Sequence, residues 1–199
     1  MTALPEPPEH PLRPPARLLT VDEYVALGET ETGYTELVEG RILMSPSPVP
    51  DHNYASGELR EQIKHQLPSD FEVIQDVDVN LELVPPGEPG FSRRPDLLIV
   101  ELGARQRVRR EGGMIKASEV RVAIEVVSAG SQRTDYVDKR REYADAEIPH
   151  YWIVDLRPPV SLVACRLTED FGYVDSAEVS DTFTASEPFP VSIDVTRLL

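Results

Sequence analysis

Two apolar runs in this chain each carry one carboxylate. RRPDLLIV at 93–100 holds Asp96 directly after Pro95, and VAIEVVS at 122–128 holds Glu125 at its middle. Burying an ionised carboxylate is costly unless it is paired or binds a cation. Glutamate is also disfavoured in strands and almost never fully buried alone. Glu125 therefore has two readings: an ion pair with an arginine on a neighbouring strand or loop, or a ligand for a divalent cation. Asp96 alone reads as a turn acid at a strand end; beside Glu125 it reads as a second ligand. Asp135, Lys139 and Tyr143 follow at i, i+4 and i+8, the spacing of one helix face. On an exposed helix the Asp135–Lys139 pair would be worth only ~0.3–0.5 kcal/mol. Next to two strand carboxylates, the lysine is what a metal-dependent phosphodiesterase uses against developing negative charge. Glu36, in TELVEG, is either a solvent-facing hairpin acid or a further member of the group.

These residues need a sheet and a helix to hold them. Pro95–Glu101 and Val120–Val127 read as strands, the second so continuously apolar that both of its faces must be covered. Ser131–Ala146 reads as a helix closed off by Pro149, with Ser131 or Thr134 as its cap. His150–Leu156 and 160–167 read as further strands, and two or three short strands complete the C-terminal part. Upstream, Thr20 caps a short helix ending at Gly28. Glu39-Gly40 marks a hairpin. Asp51–Leu67 carries a helical stripe of Tyr54, Leu59, Ile63 and Leu67. The alternation in FEVIQDVDVNLELV (71–84) predicts one long half-buried strand, and the basic segment 103–116 reads as a mobile surface loop. The order predicts an α/β fold with a mixed central sheet flanked by helices.

Composition narrows the field. The chain has 199 residues, 40% apolar and 28% charged, enough for one well-buried domain. Residues 17–199 are expected to form that domain, behind a proline-rich, disordered lead-in at 1–16. The lone cysteine, Cys165, lies in SLVACRL and reads as core rather than nucleophile. No apolar run has the length of a membrane span and no signal-peptide pattern is present, so a cytoplasmic location is expected. His52 and His150 lack zinc-ligand spacing, and there is no phosphate-binding glycine loop or nucleophile elbow. The net charge is −15, from 20 basic and 35 acidic residues. That excludes a generally DNA-coating protein. Arginines do cluster at 93–94 and 105–110, together with Lys116, Arg133, Lys139, Arg140 and Arg141. They form either a phosphate-facing patch or a solvated face.

Pro95-Asp96, followed by Glu125 with Val126 and Val127, resembles the PD-(D/E)XK nuclease superfamily. The fuller strings TELVEGRILMSPSPVPDHN, RRPDLLIV and AIEVVSAGSQRTDYVDKRREYADAEIPHYWIVD are similar to its Uma-two branch, from about Leu18 to Leu167. In the superfamily pattern a lysine stands two residues after the strand acid; here that place is Val127, and Lys139 is the match in the following helix. The resemblance implies a restriction-endonuclease-like fold and a metal-dependent DNA endonuclease. Asp96, Glu125 and the main-chain carbonyl of Val126 would bind Mg²⁺ or Mn²⁺. Lys139 would steady the attacking water or the phosphate charge, and Glu36 would add a metal or water contact. A nucleic-acid partner and a homodimer follow from the same resemblance. The other class is a nuclease fold that has lost catalysis and binds a protein or nucleic-acid partner.

Overall fold

The computed structural model describes residues 17–28, 33–45, 47–128 and 130–199. The expected lead-in at 1–16 lies outside them. In chain order the elements are α1 (Val21–Leu27), β1 (Thr35–Val38), β2 (Arg41–Met44), α2 (Pro50–Lys64), β3 (Phe71–Gln75), β4 (Val79–Asn80), β5 (Ser92–Arg93), β6 (Leu97–Glu101), α3 (Ala104–Glu111), β7 (Ile115–Lys116) and β8 (Val120–Val127). A π-helical stretch, Thr134–Lys139, then runs into α4 (Arg140–Asp145). The remaining strands are β9 (His150–Asp155), β10 (Ser161–Thr168), β11 (Gly172–Asp175), β12 (Thr182–Ala185) and β13 (Val191–Asp194).

β8 is the axis of the fold. It lies inside a six-stranded sheet of order β11-β10-β9-β8-β6-β3. It pairs antiparallel with β6, Leu97 opposite Ile124, and parallel with β9, Glu125 opposite Ile153. Both faces are covered, which is why its sequence is almost unbroken hydrocarbon. On one face Val122, Ile124 and Val126 pack with Ala55, Leu59 and Ile63 of α2, Trp152 of β9 and the β12–β13 hairpin. On the other, Ala123 and Val127 pack with Leu98, Ile153, Tyr151 and Tyr143 of α4. Glu125 falls between Ala123 and Val127 by strand alternation, so it faces the helix that carries Lys139.

A second sheet, β2-β1-β5-β4-β7, carries the N-terminal hairpin. Glu39 (φ 50°) and Gly40 (φ 73°) form its two-residue turn, both left-handed. Gly40 is required there, because a Cβ would lie 2.9 Å from the Leu19 backbone.

Several expectations need correction. The long strand predicted at 71–84 is two strands in different sheets. Asp76 adopts φ 49° and redirects the chain from β3 to β4. Period-two alternation continues across the break, so the pattern does not reveal it. The segment 103–116 is helix α3 and strand β7, not a loop throughout. Its helix lacks an apolar stripe, burying only Ala104. On α2 the buried stripe runs through Ala55, Ser56, Leu59 and Ile63, while Tyr54 is exposed. Cys165 is buried, and burial pushes its thiol pKa up to about 12. No helix among the described residues is long and apolar enough to cross a membrane.

Candidate active site

The end of β8 and the start of β6 meet the lysine-bearing helix in one cleft of about 650 Å³. Asp96 sits one step before Leu97, and Glu125 one step after Leu97's partner Ile124. The two acids are thus brought to the same level on adjacent strands. Asp96 Oδ2 accepts the Val126 N–H at 2.7 Å, tying one acid to the residue after the other. Across the cleft, Lys139 Nζ donates to Glu125 Oε1 at 2.8 Å. Tyr143 donates its hydroxyl to the same oxygen at 2.7 Å. Both of these bonds fall on Oε1 and neither on Oε2.

Lys139 is held from three sides. Besides Glu125 it lies 3.3 Å from Glu36 Oε1 and 3.7 Å from Asp135 Oδ1. Glu36 comes from β1, where its neighbours Thr35 and Leu37 are also buried. It further accepts from Arg93 Nη1 at 2.7 Å and from the Arg94 N–H at 3.1 Å. Arg93 in turn grips Glu142 with Nε and Nη2 at 2.6 and 2.8 Å. The second sheet is thereby linked to α4 by a buried ion pair. Such bidentate arginine–carboxylate contacts are geometrically selective.

This cluster holds more negative than positive charge. Glu36, Glu125, Asp135 and Glu142 are buried against only two buried cations, Arg93 and Lys139. The protonation equilibria respond accordingly. Burial pushes the Glu125 pKa well above its usual value, and Asp135, Asp96 and Glu36 add to the push against the pull of Lys139. Asp135 is raised too, mainly by burial. Burial also works against Glu36, yet Lys139 and Arg93 outweigh it and hold its pKa below the ordinary value. For Lys139, burial disfavours the cation, but Glu125, Glu36 and Asp135 more than offset this, so its pKa is raised. Burial keeps the Tyr143 phenol protonated and able to donate.

The residues singled out in the sequence, Asp96, Glu125, Lys139 and Glu36, all line this cleft together with Val126. Sequence reasoning missed three partners. His52, at the start of α2, places Nε2 3.1 Å from Asp96 Oδ1, while its buried Nδ1 has no partner among the described residues. The hydrogen bond to Asp96 raises the imidazole pKa. Arg93 was noted only as part of a basic cluster, and Glu142 was not noted at all. No local pattern could pair them across 49 residues. Several of the clustered arginines outside the cleft form ion pairs within the chain. Arg105 pairs with Glu72, Arg107 with Glu119, Arg110 with Glu111 and Arg140 with Asp175.

Among the described residues, no three His, Cys, Asp or Glu side chains are grouped as a metal cage. Asp96 and Glu125 nonetheless fit a hard divalent cation. Magnesium is commonly held by one or two carboxylates, with water and substrate oxygens completing its shell. The excess buried negative charge and the free side of Glu125 suit such an ion.

A crystal structure described as a putative nuclease belonging to DUF820, from Anabaena variabilis, superposes with a TM-score of 0.67. The match covers 90% of this chain and 97% of that one at 17% sequence identity, a likeness of fold. No curated protein matches the chain. The family model described as "Putative restriction endonuclease" matches residues 21–196, which span every strand and helix of the cleft, and the chain belongs to that family, Uma2.

Proposed function

We propose that the cleft hydrolyses phosphodiester bonds in nucleic acid, as an endonuclease acting on DNA with Mg²⁺ or Mn²⁺. Residues 17–199 act in this as one unit. The observation that carries the reading is the meeting of Asp96, Glu125 and Lys139, from three separate elements, in one acid-rich cleft. Asp96, Glu125 and the Val126 carbonyl would hold the ion. The chemistry such an ion supplies is Lewis-acid polarisation of the phosphate and easier deprotonation of water.

The chain's own groups do the rest. Lys139 stays cationic because three carboxylates surround it, so it can stabilise negative charge building on the phosphate. Tyr143 and Lys139 together fix Oε1 of Glu125 and so aim Oε2. His52 and the Val126 N–H fix Asp96 from opposite sides. Glu36 is a positioning residue, holding Lys139 in place while Arg93 holds Glu36.

The test is cleavage of plasmid and oligonucleotide substrates with Mn²⁺ or Mg²⁺, and its loss on chelation. Asp96→Ala, Glu125→Ala and Lys139→Ala should each fall to near background, since groups acting as one unit fail together. Glu125→Ala cleaving as fast as wild type would overturn the reading and leave a binding module as the better account.

A further inference from the structure

We infer that the strand taken by this cleft is unpaired, and that its bases, more than its phosphates, provide the grip. This rests on the nuclease reading and names its substrate class. A duplex presents one negative charge per ~1.7 Å of axis and is normally held by lysines and arginines that neutralise phosphates. The cleft offers no such complement. Six acidic residues line it against four lysines and arginines. Lys139 serves the one reacting phosphate, and all four cations already have partners within the chain. Arg93 is held by Glu36 and Glu142, Lys139 by Glu125, and Arg157 by Asp155. Arg94 donates to the Asp76 carbonyl and lies over the Tyr34 ring, 4.1 Å from its centroid.

The walls above this floor are apolar. Tyr34, Leu43, Met44 and Val49 line the cleft, each between 45% and 55% exposed, together with Leu156 and Pro158. Surfaces of this kind bind unpaired bases, whose flat faces stack on aromatic rings and guanidinium planes. The Arg94–Tyr34 pair is a stack already begun, and a base can extend it. In a duplex those faces are hidden by the neighbouring bases. A space of about 650 Å³ has the dimensions of a small-ligand site and admits a few nucleotides of flexible strand.

The experiment compares one fluorescent strand in four forms, with Mn²⁺ present: single-stranded DNA, the same sequence as RNA, its DNA duplex, and the single strand with abasic sites. Either unpaired form should be cut with kcat/KM at least about tenfold above the duplex, the size of a single base–aromatic stack. The DNA and RNA arms show which sugar is preferred. Abasic sites should abolish the advantage. Tyr34→Ala should raise KM for the single strand about tenfold with kcat little changed, and Tyr34→Phe should restore it. Circular dichroism confirms that the variants are folded. Duplex cut as fast as single strand, or a Tyr34→Ala enzyme with unaltered KM, would overturn the inference. Absence of cleavage in every form would instead remove the nuclease reading. Fluorescence anisotropy on the same four probes would then decide the substrate class alone, with equal binding of duplex and single strand counting against it.

Discussion

Replacing Lys139 by methionine removes a charge and little volume, so it isolates what the ammonium does. In the folded protein Nζ contacts carboxylate oxygens at 2.8, 3.3 and 3.7 Å. With an effective dielectric of ~20, each such contact is worth ~5 kcal/mol before the cost of desolvating the ions is subtracted. Breaking a buried ion pair by removing one partner costs a net ~3–5 kcal/mol, and that is the loss expected at neutral pH. The loss should also depend on pH, with a defined sign. In wild type the Lys139 pKa is raised, so its stabilisation is present throughout the range below the ordinary lysine pKa. In the variant Glu125 and Asp135 lack their counter-charge while Glu36 keeps Arg93, and the folded pKa values of Glu125 and Asp135 should lie above the unfolded ones. Such acids penalise folding most when pH exceeds both values, and the penalty shrinks as pH falls and they take up protons. Lys139→Met should therefore lose several kcal/mol near pH 8 and much less near pH 5. Urea unfolding of both proteins at the two pH values measures this. A loss below about 1 kcal/mol near pH 8, or the same loss at both values, would refute the account of the buried charge.

Three further outcomes are expected. Glu125→Gln keeps an oxygen for Lys139 and Tyr143 but sheds a carboxylate that is costly to bury. It should melt no lower than wild type in metal-free buffer; Mn²⁺ should raise the melting temperature of wild type and not that of the variant, as thermal unfolding with and without Mn²⁺ will show. His150 has its pKa lowered to about 4, by burial first and by Arg121 and Arg166 against the opposing pull of Glu187. It stays neutral when folded while the unfolded chain protonates, so stability is lost as pH falls from about 6.5 towards 4. His150→Gln should flatten that part of the acid unfolding curve by about 1–2 kcal/mol, discounted for partial exposure. Gly40→Ala places a methyl group 2.9 Å from the Leu19 backbone at φ 73°, and denaturant titration should show a loss of about 2–4 kcal/mol.

The legible part of this protein was the part written in local contrasts. Glu125 stood out because an acid in the middle of VAIEVVS has no ordinary reason to be there. Lys139 was picked out by its match to the lysine of the superfamily pattern, helix spacing by itself reading as a surface ion pair, and β8 and β9 followed from unbroken hydrocarbon. The fold class was readable from the same runs. What stayed hidden depends on contacts between distant segments or on single backbone angles. Asp76 turns left-handed within an alternating pattern that looks the same before and after it. α3 buries only Ala104 and part of Val108, and its Arg107–Glu119 and Arg105–Glu72 pairs reach other segments, so no apolar stripe marks it in the sequence. His52 looked like a helix-start residue because Asp96, its partner, lies on another element. The Arg93–Glu142 pair is silent in sequence for the same reason.

The helix carrying Lys139 is π-helical from Thr134 to Lys139. Such a stretch holds about one residue more per turn than an α-helix would, and π-turns, rare in general, are frequent at functional sites. Val137, in its middle, is 56% exposed. Deleting a residue from a regular α-helix swings everything upstream by ~100° about the axis. Here a deletion would let the widened turn relax to ~3.6 residues per turn, so the segments on either side would keep nearly their present orientation. The change would be local: Asp135 would stand three residues before Lys139 instead of four, and its carbonyl, which now accepts from the Tyr151 hydroxyl at 3.0 Å, would shift against β9. The extra residue therefore sets the spacing between Asp135 and Lys139 rather than the direction of the helix.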